Sequence, residues 1–211
     1  MINGITNFEA FLITSVLLVL TPGADTLYTL GRSINGGRKA GIFAALGSGT
    51  GLVIHSLFAT FGLSVLLANS AVAFTIVKYL GGLYLIYLGI KSLRTNRQQL
   101  KEVEFKKKVS YRKVYLSGVI TNILNPKVAL FFLAFLPQFI TIGYINNWIP
   151  LLVLGVVFSF LGTLWCLIVA ISASKLAHIF TKNDTIQKWL DRIAGSIFII
   201  LGIKIAISNK Q

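Results

Sequence analysis

A chain of 211 residues that is 55% hydrophobic and 12% charged, with a mean hydropathy of +0.78, is too apolar for a soluble globular domain and has the make-up of a polytopic membrane protein. Its net charge of +14 would suggest nucleic acid as a partner in a soluble protein, but here the basic residues cluster between apolar stretches, where they act as topology signals. The single cysteine, Cys166, excludes an internal disulfide and a thiolate metal cluster. Six stretches are long enough to span a bilayer, from Phe8 to Leu30, Ala40 to Leu67, Ala71 to Ile90, Val114 to Leu136, Ile149 to Ser172 and Ile193 to Ile207. The start, Met1 to Phe8, lacks Lys and Arg and no small-residue cleavage site follows the first apolar run, so no cleaved signal peptide is expected.

The first span contains Leu20-Thr21-Pro22-Gly23-Ala24-Asp25, a helix breaker, a flexible residue and a carboxylate inside apolar sequence. Pro22 removes one intrahelical donor and clashes with the carbonyl of Leu18, leaving backbone oxygen that lipid cannot satisfy. A protein group, a water or a ligand has to satisfy it. Asp25 lies within the span, where a charge is costly unless it is paired, protonated or facing a cavity.

The second span carries Gly47, Gly51 and His55 on one helix face. The glycines read as helix-packing residues, whereas His55 is either a hydrogen-bonded structural residue or a proton carrier. Gly155, Ser159 and Thr163 on span five form a similar stripe that reads as packing. Tyr28, Thr29 and Arg32 continue the Asp25 face toward an entrance, and Trp148, Trp165 and Trp189 read as interface or core aromatics.

Loop basicity sets the orientation. The segments after spans one, three and five hold most of the twenty Lys and Arg residues, including the run Lys106-Lys107-Lys108, so these loops are placed in the cytoplasm and both termini outside. An internal repeat agrees with this layout: Gly82 through Gly89-Ile90-Lys91 on span three matches Gly195 through Gly202-Ile203-Lys204 on span six, and Pro22 corresponds to Pro126 on span four. The expected fold is an all-α integral membrane protein of six transmembrane helices arranged as two inverted three-helix repeats, with helices one and four broken. It forms a single domain over 1–211, with a first repeat 1–93, a basic cytoplasmic loop 94–113 and a second repeat 114–211.

The second break is Asn125-Pro126-Lys127, preceded by Ser117, Thr121 and Asn125 on one face with Asn122 beside them. Each half therefore offers one polar break and one charge, Asp25 and Lys127. The pair is either a structural ion pair between helices or a site for a zwitterion, with Asp25 facing an ammonium and Lys127 a carboxylate. Substrate contacts are expected from Thr21, Pro22, Gly23, Asp25, Asn122, Asn125, Pro126 and Lys127, and proton coupling from Asp25 and His55. There is no HExxH, no Cys/His cluster and no nucleotide loop in strand context, so no enzyme activity, cofactor or metal is expected and an ion gradient is the energy source.

Thr21-Pro22-Gly23 with Asp25, Gly31-Arg32-Ser33 with Gly37-Arg38-Lys39-Ala40-Gly41, Tyr79-Leu80-Gly81-Gly82-Leu83-Tyr84-Leu85, Asn125-Pro126-Lys127 and Phe135-Leu136-Pro137-Gln138-Phe139 resemble the lysine-exporter superfamily, closest to its homoserine/threonine exporter branch. The resemblance covers nearly the whole chain. It implies a bacterial inner-membrane exporter of small amino acids or related metabolites, driven by the proton motive force and assembled as a homodimer in the lipid bilayer. The family commonly has a second proline where this chain has Ala24, so a milder break in span one is expected. The rival readings are a non-transporting scaffold or assembly factor, a membrane enzyme acting on lipid headgroups, and a passive channel.

Overall fold

The computed structural model describes residues 4–63, 110–141, 144 and 147–173, with isolated helical positions at 76, 79, 83, 86, 87, 90, 93, 192, 196, 199, 200 and 203. The spans expected over 71–90 and 193–207, the loop 94–109 with its basic run, and the repeat shared by spans three and six lie outside the described residues, those isolated positions apart.

Helix α1 (Phe8–Leu20) starts from Asn7 in the left-handed region and ends where Thr21 turns extended, at φ −68° and ψ 120°. Pro22 cannot continue the hydrogen-bond ladder, and α2 (Ala24–Phe58) begins after Gly23, also extended. The break is therefore complete even with alanine at position 24. Inside α2, Gly37 takes φ 77° and ψ 172°, a region open to glycine alone, and nothing lies within 4 Å of where its Cβ would be. The chain folds back there, because Gly41 packs directly on the Ser33 side chain eight positions earlier. The limb 38–58 is of spanning length by itself. A π-helical turn, Ala59–Leu63, extends it.

Helix α3 (Tyr111–Ile123) ends at Leu124, and Asn125 caps a short helix α4 (Pro126–Leu130), with its Oδ1 accepting from Lys127 N–H at 3.1 Å and proline at the first helical position. A π-helical turn (Phe131–Phe135) and a 3₁₀ turn (Leu136–Phe139) follow. The axis bends by 46° across the break. Helix α5 (Trp148–Ile171) is uninterrupted and starts from an Asn147 cap. Ala24–Gly62 and Trp148–Ile171 are long and apolar enough to cross a membrane, and Tyr111–Ile123 with Pro126–Phe139 makes a third if the bent pair is one span. All regular elements among the described residues are helical. An isolated β-bridge, Ile5 to Ile140, ties this early segment to the end of the 3₁₀ turn through Thr6 N–H to Phe139 O at 2.9 Å and Thr141 N–H to Gly4 O at 3.0 Å.

Two kinds of packing hold the breaks in place. Where α2 crosses α3 the backbones touch: a Cβ on Gly118 would lie 2.7 Å from the Ala44 carbonyl oxygen, and one on Gly47 would strike the Tyr115 carbonyl. Against α5 a different face of α2 meets small residues, with Gly155 under Ser56 and Gly162 under Leu52. Around the second break the filler is aromatic. Phe131 stacks on Phe158 at 4.0 Å between ring centroids, and Phe139 meets Phe11 edge-on at 5.4 Å, so α1, the π turn and α5 share one buried cluster. Large apolar side chains such as Ile13, Phe58, Phe160 and Leu124 point outward, as a lipid-facing surface requires.

Candidate functional site

The two breaks meet. Pro22 has no N–H for the Leu18 carbonyl, and the extended Thr21 turns its own carbonyl off the helix axis. Both oxygens are answered by one group from the other break: the Lys127 ammonium donates to Leu18 O at 2.8 Å and to Thr21 O at 2.7 Å. Contacts 109 and 106 residues apart in sequence thus complete the first break. An ammonium has three N–H groups, so one remains for the space beside it.

Asp25 sits in the first turn of α2, where a carboxylate complements the helix N-terminus. A Cβ on Gly23 would lie 2.8 Å from Asp25 Oδ1 and 3.4 Å from Lys127 Nζ, so glycine is what lets the two charged ends approach across the break. Lys127 feels the Asp25 charge through space, but among the described residues the two form no contact ion pair, because the ammonium is engaged by carbonyls. The site sets one acidic and one basic side chain side by side, groups of complementary charge.

A cavity of about 20 Å³ adjoins both charges and is walled by Leu18, Val19, Leu52, Phe158, Gly162 and Trp165. That volume accommodates about one water and is far smaller than an amino acid. Trp165 was expected as an ordinary interface or core aromatic, yet it lines this cavity and its indole N–H is buried without a partner among the described residues.

The second break is completed in the same manner. Pro126 removes the donor that Asn122 O would receive four residues on, and His55 Nε2 reaches that oxygen at 3.2 Å. A carbonyl only accepts, so this imidazole nitrogen carries a hydrogen. Backbone N–H groups of Leu124 and Asn125 also turn onto Asn122 O. His55 stacks on Phe132 at 5.8 Å with 16° between the rings. The Asn122 side chain is fully buried against Gly51, and neither end of its amide has a partner among the described residues. Asn125 likewise keeps a buried Nδ2 without a partner there while its Oδ1 caps α4.

Of the residues singled out in sequence, Asp25 and Lys127 line the cavity, Pro22, Gly23 and Pro126 shape the breaks, and Asn125 anchors the root of Lys127. Thr21 contributes its carbonyl to Lys127, and its hydroxyl donates back to Leu17 O at 2.8 Å. Asn122 and His55 form a neighbouring polar cluster outside the cavity wall. Tyr28 and Arg32 lie further along α2: the Tyr28 hydroxyl donates to Val114 O at 2.8 Å and the Arg32 guanidinium lies over the Tyr28 ring at 5.1 Å. No three His, Cys, Asp or Glu side chains converge as metal ligands among the described residues.

Apolar helices, two of them interrupted by proline, whose backbone gaps are closed by ionisable side chains around a site of complementary charge, define a helical membrane protein built on discontinuous helices. Comparison with known proteins narrows the class. The family model described as LysE type translocator matches residues 16–209, and the chain belongs to that family. It is 36% identical over 208 residues to the uncharacterized membrane protein YrhP of Bacillus subtilis, covering 94% of this chain and 98% of the relative. It is 27% identical over 203 residues to the leucine efflux protein of Salmonella typhimurium, covering 96% of each chain. An uncharacterized membrane protein of Pseudomonas aeruginosa is 29% identical over 210 residues, with 98% of this chain and 97% of the relative covered. No solved structure matches.

Proposed function

We propose that this protein is a secondary transporter that exports a small amino acid with an uncharged side chain, leucine among the first candidates, from the cytoplasm. The observation that carries the reading is the convergence of Asp25 and Lys127 on one cavity at the junction of two broken helices, which offers one group suited to each end of a zwitterion. Membership of a translocator family and similarity over nearly full length to a leucine efflux protein support it. In this reading Asp25 alternately holds a proton and the substrate ammonium, Lys127 faces the substrate carboxylate, and the unpartnered Trp165 and Asn125 N–H groups are further donors near the site.

The reading brings with it six spans in two inverted repeats, a bacterial inner-membrane location with both termini outside, a homodimer, and drive by the proton motive force. Its test is uptake of a radiolabelled amino-acid panel into inside-out vesicles with and without an imposed proton gradient, comparing wild type with Asp25→Asn. Gradient-dependent accumulation of one class, lost in well-folded Asp25→Asn, is the expected result. Absence of uptake for every amino acid by folded wild type refutes it. Undiminished gradient-driven uptake by Asp25→Asn refutes the coupling role of Asp25.

A further inference from the structure

The Lys127 ammonium occupies the position that an amino-acid ammonium would take. Leu18 O and Thr21 O converge so closely that one –NH₃⁺ reaches both, at 2.8 and 2.7 Å. They are available only because Pro22 and the extended Thr21 withdraw them from the helix ladder. A lysine ε-ammonium and a substrate α-ammonium are the same three-donor cation. The adjoining cavity, about 20 Å³, has no room for a second ammonium with its carbon skeleton while the first is in place.

We propose that Lys127 is a tethered stand-in for the substrate ammonium, holding the carbonyl pair of the first break until a zwitterion displaces it. This rests on the amino-acid reading of the same site. The exchange conserves charge. Substrate ammonium takes over Leu18 O and Thr21 O, and the released Lys127 ammonium turns to the substrate carboxylate, so no charge is left alone in a low-dielectric interior. The root of the lysine stays fixed while its stem swings, because Lys127 N–H is held by Asn125 Oδ1. Selectivity for a substrate class follows. A free amine without a carboxylate would leave two ammonium groups beside the single Asp25 carboxylate, so alkylamines, amino alcohols and amino-acid esters are rejected although their ammonium groups fit.

The experiment uses 3-methylbutylamine, which has the side chain and ammonium of leucine without its carboxylate, and reads thermal-unfolding midpoint and calorimetric binding on purified full-length protein. Wild type is expected to ignore the amine. Lys127→Gln, which vacates the carbonyl pair, is expected to bind it about tenfold or more tightly than wild type and to unfold at a higher temperature in its presence, since two carbonyls without a full donor set await a cation. In a Cys166→Ala background, Lys127→Cys is expected to gain the same response. An aminoethyl methanethiosulfonate, which forms a mixed disulfide with release of sulfinate and restores an ammonium on a comparable stem, should abolish it, whereas the methyl reagent should not.

Equal amine binding by wild type and both variants overturns the proposal. So does persistence of the response after aminoethylation. Failure of Lys127→Gln and Lys127→Cys to fold even with excess amine marks Lys127 as a permanent clamp and overturns it too. The amine response does not depend on which substrate is exported: a gain in the variants alongside wild-type vesicles that take up no amino acid would refute the export reading and leave the ammonium site standing.

Discussion

His55 is a holder of backbone before it is anything else, and His55→Leu measures that role. The substitution removes a hydrogen bond to Asn122 O that is long, at 3.2 Å, and a ring stack on Phe132 at 5.8 Å. Asn122 O keeps the N–H groups of Leu124 and Asn125, so no carbonyl is orphaned. The lost hydrogen bond is worth about 0.5–1.5 kcal/mol net and the ring pair about as much, which puts the leucine variant about 2 kcal/mol below wild type. His55→Gln retains an N–H donor at the end of its side chain and should fall only about 1 kcal/mol, the share of the lost stack. Reversible unfolding in mixed micelles, followed by tryptophan fluorescence, resolves that difference. Equal losses for Leu and Gln, or a loss beyond about 4 kcal/mol for either, would refute the reasoning, since the first means no bond is formed and the second means a larger buried network depends on the ring. Gradient-driven uptake then separates the two readings of this histidine. A folded His55→Gln that transports marks a positioning residue, and one that folds but has lost its gradient dependence marks a proton carrier.

Lys127→Met should cost about 2–6 kcal/mol, because Leu18 O and Thr21 O both lose the donor that answers them; the same unfolding assay decides, and a cost below about 2 kcal/mol would contradict it. Gly118→Ala drives a Cβ to 2.7 Å from the Ala44 carbonyl with no flexible side chain to yield, and is expected to lower stability by about 1–3 kcal/mol, whereas an unchanged midpoint would mean that α2 and α3 part without cost. Gly37→Ala meets open space yet must adopt φ 77° with ψ 172°, so its expected penalty of about 1–3 kcal/mol is purely conformational; Gly37→Asn, whose tolerance of positive φ is confined to the left-handed helical region, should recover none of it.

Local chemistry is what the chain discloses in one dimension. Apolar run length, loop basicity and the positions of Pro22 and Pro126 are properties of neighbours in sequence, and they sufficed for the membrane class, the two broken helices and the candidates Asp25 and Lys127. That Pro22 would orphan the Leu18 carbonyl is also local, because it follows from the missing N–H of one residue. Which group answers that carbonyl is not. Lys127 reaches it from 109 residues away, and His55 adds a further donor to Asn122 O from 67 residues away. Only the crossing of α2 with α3, set by glycines in backbone contact, brings those side chains to the gaps. The tertiary structure likewise decided that Trp165 walls the cavity and that Lys127 is engaged by carbonyls in preference to Asp25. The physical reason is one: a proline in an apolar helix specifies an unsatisfied acceptor, but its donor can come from any element long enough to reach it, and packing makes the choice.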